Sequence, residues 1–268
     1  MTALPTLSWT KSPEDVCMRE IDLTQDLLPR HQASLRGLQI LSRRVPSENW
    51  CLVGGMMVLA ASRDVGRTLP RAEQTKDVDV LVDICADAKI LASVAWNLQR
   101  AGYEIPADAW DNDNIARCTF LSNGAQIDVL CPDDSNPADL EIEGNIRSLA
   151  IPGGRRALQL SELVRIQYSE DAADVELRVP LLMGAIVVKG HAMVNPKTAN
   201  QSRHGEDLVG LISIIDDPID ARASLASEDL SLINEIERRL SDDGDQSWIP
   251  FEPEVRLRVQ AALTILCS

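Results

Sequence analysis

Aromatic residues are scarce in this chain, with two phenylalanines, two tyrosines and five tryptophans among 268 residues. Trp50, Trp96, Trp110, Trp248 and Phe251 form no spaced series on which successive bases could stack, so a general single-strand nucleic-acid platform is excluded and packing roles are expected for them. Long hydrophobic runs are missing too. Nothing approaches the roughly 20 apolar residues that cross a bilayer, and the opening stretch MTALPTLSWTKSPEDV has neither a basic leader nor an apolar core. No membrane association is expected, and the expected compartment is the cytoplasm. The six cysteines, Cys17, Cys51, Cys85, Cys118, Cys131 and Cys267, stand singly, with no CxxC pair and no spacing suited to zinc, as reduced core residues would. His191 and His204 match no metal-ligand spacing either, and structural or surface roles are expected for them. Internal repeats and low-complexity tracts are also lacking.

Positive charge is in the minority: 26 basic against 41 acidic side chains leave a formal charge of −15, which argues against nonspecific adhesion to nucleic acid or anionic membrane. Acidic residues gather in 108–113, 133–143 and 216–245. Arg63, Arg67, Arg71, Lys76, Arg155, Arg156, Lys189, Lys197 and Arg203 fall in or near the segments that the chemistry below singles out. A phosphate funnel on an acidic surface is one reading of that asymmetry, and chance clustering on a well-solvated surface is the other.

What is present is a pattern of alternating elements. Ser12-Pro13-Glu14-Asp15 reads as a helix start, and His31 to Arg44 carries Leu35, Leu38 and Leu41 at helical spacing before Pro46. The apolar run 50–53 predicts a buried strand, Gly54-Gly55 a turn, and 56–62 a helix. After a loop over 64–75, residues 76–82 alternate as a strand does, which puts Asp77 and Asp79 on one face. A helix is expected over 86–101. Two strands, 115–121 and 125–131, are expected to form a hairpin around Asn123-Gly124, and an antiparallel neighbour is expected to bring Asp128 beside the Asp pair. From about residue 157 the pattern predicts helices beginning at Ser161, running from Pro180 to Val194, and covering 204–215, 227–240 and 253–267. The expected organisation is an α/β unit over 1–155 and a helical unit over 156–268.

Nucleotidyl transfer places negative charge on an attacking and a leaving oxygen, and two divalent cations about 3.5–4 Å apart can clamp both. Magnesium needs hard oxygen ligands. Asp77 and Asp79 at i, i+2 on a strand, with Asp128 on another, could supply them, and Gly54-Gly55 would let backbone amides at a helix N-terminus approach a triphosphate. Each piece alone has a blander reading, as a solvated strand face or a tight turn. Their order and apolar flanks favour the site.

Val53-Gly54-Gly55, Asp77-Val78-Asp79 and Asp128 in Gln126-Ile127-Asp128-Val129-Leu130 resemble the signature of polymerase-β-like nucleotidyltransferases. More narrowly, Gly54-Gly55-Met56, residues 75–80, Val187-Val188-Lys189 and Arg203-His204-Gly205-Glu206-Asp207-Leu208 are similar to the AbiEii/MenT toxin-like group, over roughly 48–215. The resemblance implies an α+β catalytic domain with a mixed, mainly antiparallel sheet followed by a helical half. It implies Asp77, Asp79 and Asp128 as catalytic metal ligands for Mg2+ or Mn2+. It also implies Lys189 near the triphosphate of an NTP substrate, Asp207 orienting substrate or Lys189, and Gly54, Gly55, Arg71 and Lys76 at the nucleotide. Two departures stand out: a long insert between Gly55 and Asp77, and Glu73 where an arginine is common.

From the residues alone, Lys189 at the end of an apolar run reads as a snorkelling surface lysine. Gly153-Gly154-Arg155-Arg156 reads as a β-turn with exposed arginines, or as a phosphate-contacting turn. The resemblance implies transfer of a nucleoside monophosphate to an acceptor such as the tRNA 3′ end, and a toxin–antitoxin setting with a neutralising antitoxin protein. The alternatives are an antibiotic-type enzyme acting on a small molecule, or a noncatalytic nucleotide- or partner-binding module.

Overall fold

The computed structural model describes residues 18–24, 27, 29–70, 75, 77–169, 173–198 and 200–268. The helix start expected at Ser12 lies outside them. In chain order the elements are β1 (Arg19–Asp22), α1 (Pro29–Ser42), β2 (Trp50–Val53), α2 (Gly54–Asp64), β3 (Val78–Val82), α3 (Ile90–Arg100), β4 (Ala116–Arg117), β5 (Thr119–Ser122) and β6 (Ala125–Pro132). These are followed by β7 (Glu141–Ile142), β8 (Ile146–Arg147), β9 (Leu149–Ile151), α4 (Gly154–Gln159), β10 (Ser161–Gln167) and β11 (Val175–Pro180). Five helices complete the chain: α5 (Leu182–Val194), α6 (Gln201–Ser213), α7 (Pro218–Ala223), α8 (Ser227–Leu240) and α9 (Pro253–Leu266). The N-terminal part is therefore sheet-dominated and the C-terminal part helical.

The main sheet runs β1-β10-β11-β2-β3-β6-β5, with β9 also on β6. Leu130 pairs with Leu81 of β3 and with Leu149 of β9, so β9 lies on the edge of β6 away from β3, in line with β5. A small second sheet, β4-β8-β7, sits apart. β2 lies mid-sheet with all four residues buried, as its unbroken apolar sequence requires of a strand covered on both faces. Leu35, Leu38 and Leu41 form the buried stripe of α1. The Asn123-Gly124 turn has φ of 49° and 80°, the two left-handed residues of a tight hairpin, and joins β5 to β6 as expected.

Several expectations are corrected. The sheet is mixed but not mainly antiparallel: β1–β10, β11–β2, β3–β6 and β6–β9 are parallel, and β10–β11, β2–β3 and β5–β6 antiparallel. In particular, the β6 strand carrying Asp128 runs parallel to β3. The helix expected from Ser161 is strand β10: Val164, Ile166 and Tyr168 are buried at alternate positions, and so are Val175, Leu177 and Val179 of β11. Both strands join the main sheet, so the change from sheet to helix falls at Leu182 rather than near 156. α3 starts at Ile90, not 86, because Asp83 and Asp87 accept the amides of Ala86 and Lys89 in turns that precede it.

Two packing expectations also change. Trp50 and Trp248 are buried, but Trp96 and Trp110 are exposed, and the Arg100 guanidinium lies 4.6 Å from the Trp96 ring centre. Cys51, Cys118 and Cys131 are buried thiols, Cys85 is exposed, and Cys17 is outside the described residues. Among the described residues no helix is long and apolar enough to cross a membrane.

Candidate functional site

β2 ends at Val53 in an extended conformation and the chain turns directly into α2 at Gly54, whose φ is +71°. Only glycine adopts that angle without strain, and space demands it as well: a Cβ at Gly54 would fall onto the Asp79 carboxylate. At Gly55 a Cβ would meet the Thr75 side chain, 2.8 Å from its Cβ. The Gly-Gly pair thus lets the first turn of α2, with its unpaired amides, close against β3 and the residues before it.

Asp79 is in β3, paired with Val53 on one side and Asp128 on the other. β3 begins at Val78, so Asp77 lies in the bend just before the strand rather than within it. That bend is fixed from behind: the Thr75 hydroxyl donates to the Asp77 carbonyl (3.2 Å), and His31 Nε2, buried at the start of α1, donates to the Thr75 carbonyl (2.9 Å).

The other wall comes from the helical part. Lys189, on α5, is 4 % exposed, and its Nζ donates to Asp207 Oδ2 of α6 at 2.7 Å. α5 is buried on nearly every side and the Lys189 ammonium ends on Asp207 rather than in open solvent, so the snorkelling alternative fails. Arg203 and His204 stand four and three residues before Asp207 on one face of α6, and Asn200 is the left-handed residue that precedes its first turn. These residues, with Gly54, Gly55, Thr75, Asp77, Asp79 and Lys189, line a cavity of about 200 Å³. Asp77, Asp79, Lys189, Asp207, Gly54 and Gly55, all expected site residues, are therefore brought together. Arg71 and Lys76 lie outside the described residues.

Asp128 does not line the cavity, yet stands in register beside Asp79. Its Oδ2 accepts from Gln126 Nε2 at 2.9 Å, while its buried Oδ1 has no hydrogen-bond partner among the described residues. Burial pushes its carboxyl above the usual range, with the Thr119 and Gln126 side chains opposing and Asp77 adding to the rise. Asp79 is pushed up to about 7, first by burial, then by the charges of Asp128 and Asp77, with Lys189 pulling the other way. The charges of its two neighbours thus oppose ionisation of Asp79, and all three carboxylates keep partial solvent exposure.

No family model, curated protein or solved structure matches the chain.

The donor chemistry suits a hard divalent cation: Asp79 and Asp128 stand in register on neighbouring strands, Asp77 sits in the bend before β3, and Asp128 has a buried oxygen lacking a partner among the described residues. Among the described residues, however, no three His, Cys, Asp or Glu side chains are close enough together to hold a metal ion. The expected single metal-sized cluster is therefore not formed in this arrangement, in which Gln126 holds Asp128 and Asp128 stays off the cavity wall.

Other basic candidates are accounted for elsewhere. Gly153 caps α4 with φ +76°, and the two arginines after it tie layers together. Arg155 pairs with Asp83 and Asp134, both at 2.8 Å, and Arg156 with the buried Asp229 at 2.9 Å. Neither a plain exposed turn nor a phosphate turn describes them. Arg67 and Lys197 are exposed and off the cavity wall. Thr75, Asn200 and His204 are lining residues that sequence reasoning did not select. The α6 spacing to Asp207 was the available signal for His204.

Proposed function

We propose that the chain is a metal-dependent nucleotidyltransferase, moving a nucleoside monophosphate from a nucleoside triphosphate to an acceptor hydroxyl. The observation that carries this reading is the shared cavity: the Gly54-Gly55 helix start and Asp77 and Asp79 face the Lys189–Asp207 pair, drawn from a distant part of the chain. Helix-start amides suit phosphate oxygens, and carboxylates suit the cations that accompany them.

In this reading Asp77, Asp79 and, once released from Gln126, Asp128 would hold Mg2+ or Mn2+, and the cation would supply Lewis-acid stabilisation of charge on the transferring phosphate. Lys189 presents its ammonium to the triphosphate. Asp207 is a positioning residue, holding that ammonium through its 2.7 Å hydrogen bond. Arg203, on the same α6 face, adds a second cation at the cavity wall. Thr75 and His31 fix the bend that aims Asp77.

The polymerase-β-like identity, and the AbiEii/MenT toxin-like one within it, belong to this proposal. So do the tRNA 3′ end as acceptor and a neutralising antitoxin partner. The test is incubation with magnesium, each α-phosphate-labelled NTP and total tRNA, beside Asp79→Asn. Label on RNA with the wild type and none with the variant is the expected result. Label on no acceptor of any kind, with a folded protein, sinks the proposal.

A further inference from the structure

Where β11 runs into α5 and α6 runs into α7, the chain leaves a second cavity, of about 250 Å³. Leu181, Leu182 and Met183 line it from the first junction, together with Leu160, whose carbonyl accepts the Leu181 amide at 2.6 Å. Ile215, Asp216, Asp217, Ala221 and Ser224 line it from the second. Among the described residues it shares no lining group with the Asp79–Lys189 cavity. Sites for small ligands are concave and mainly apolar with a few placed polar groups, and measure ~300–1,000 Å³ for drug-sized molecules. This cavity has that composition at a slightly smaller size, which suits a ligand with one ring or a short branched chain. Leu181, Asp216 and Asp217 are exposed, so it is open to solvent.

We propose that this cavity binds a small organic cation, with an apolar body on Leu160, Met183, Ile215 and Ala221 and an ammonium at Asp216. Two helix ends of opposite sign meet here, the start of α5 and the end of α6, and their fields largely offset. Asp217 is committed to its own chain: its Oδ1 accepts the amides of Ile219 and Asp220 at 2.8 and 3.2 Å. Asp216 beside it makes no hydrogen bond or ion pair among the described residues, and the Arg258 guanidinium that reaches this junction donates to the Ile215 carbonyl (3.3 Å) instead. Asp216 therefore decides which charge the rim favours.

The two parts of the site contribute unequally. Removing the ligand's apolar body from water supplies most of the affinity, because Met183 and Ile215 are already buried and the cavity walls need not rearrange to cover it. An exposed ion pair adds only a little. Asp216 thus acts as a selector, ranking ligands of one shape by the charge of their head group.

The experiment is methyl NMR of the full chain with isotope-labelled methionines, the Met183 signal being assigned from Met183→Leu. The probes are phenethylammonium, phenethyl alcohol and hydrocinnamate, which join a cationic, a neutral and an anionic head to the same ring. The expected result is a saturable shift of the Met183 methyl, with the ammonium bound about threefold tighter than the alcohol and hydrocinnamate weakest. Asp216→Asn brings the ammonium to the level of the alcohol. Ala221→Leu, which fills the cavity, abolishes the shift with all three probes while the other methionine signals keep their positions. Ser224→Leu, at an exposed position of the same wall, is a second filling variant should the first fail to fold. The alcohol bound as tightly as the ammonium, or hydrocinnamate bound tightest, overturns the proposal. So does an unmoved Met183 signal, or a shift that persists in the folded filling variants. Each of these outcomes leaves nucleotidyl transfer standing, because the two cavities are lined by different residues.

Discussion

Lys189 Nζ donates to Asp207 Oδ2 at 2.7 Å, and the two side chains are 5 % and 7 % exposed. An ion pair so deeply buried gains little over an apolar pair, because both charges have left water, but removing one partner takes away the charge that offsets the other's burial. Lys189→Ala and Asp207→Ala are each expected to cost about 3–5 kcal/mol. Lys189→Met with Asp207→Leu is expected to recover most of that loss and to remain inactive. Urea unfolding midpoints of the single and double variants check this. Single variants as stable as wild type would show that the pair is not desolvated.

Asp79 gives a pH dependence with a definite sign. Its folded pKa of about 7 lies above the ordinary carboxylate value of 3.8, so the folded state holds a proton that the unfolded chain has already lost. Stability from this group is complete below about pH 4, falls as pH rises, and is fully lost above about pH 7. Asp79→Asn is therefore expected to flatten the slope of melting temperature between pH 4 and 7, and to stabilise the metal-free protein at pH 8. A tenfold change in proton affinity corresponds to ~1.4 kcal/mol, so the gain is on the order of 2 kcal/mol or more. An unchanged slope would place the titration on another group.

Gly54 carries two requirements at once. Gly54→Ala meets both the left-handed angle and the Asp79 carboxylate, and is expected to cost ~2 kcal/mol or more and to abolish transfer. Gly66, at φ +64° with open space around it, is the control: Gly66→Ala meets only the angle and is expected to keep activity. Thermal melts and transfer assays on the two variants separate backbone strain from the loss of the Asp79 contact.

Arg155 tests the alternative phosphate site. Its pairs with Asp83 and Asp134 are partly exposed, and Arg155→Ala is expected to cost about 1 kcal/mol or less with unchanged nucleotide binding. A tenfold loss of nucleotide affinity would make the Gly153-Gly154 turn a phosphate contact after all.

Much of the site could be read from local sequence because its parts are local signals. Gly54-Gly55 follows an apolar strand, Asp77 and Asp79 open another, and Asn123-Gly124 sets the hairpin that carries Asp128. Lys189 shows where that reading stops. Its neighbours say only that it sits in an apolar helix. Its burial depends on α6 bringing Asp207 across, and without that partner a lysine there would have to reach solvent. β10 failed for a different reason: Leu160, Leu163, Val164 and Ile166 fit a helical face as well as an alternating strand. The decision came from neighbours far away in sequence, β1 and β11, which leave a strand-shaped gap. The parallel pairing of β3 with β6 is likewise a property of the whole sheet, which neither strand's own residues encode.

Asp79 belongs to the sheet and Lys189 to the helices above it, so the spacing between these opposite charges is fixed by whatever holds the two layers apart. Leu69, buried in the segment after α2, packs on α6 at that level: a Cβ on Gly210 would lie 3.1 Å from its Cδ1. The oily interior thus acts as the ruler for the polar centre. A methyl group removed at Leu69 or added at Gly210, one turn of α6 beyond Asp207, would alter the aperture through which a ligand is gripped, and would register as changed affinity before it registered as lost folding.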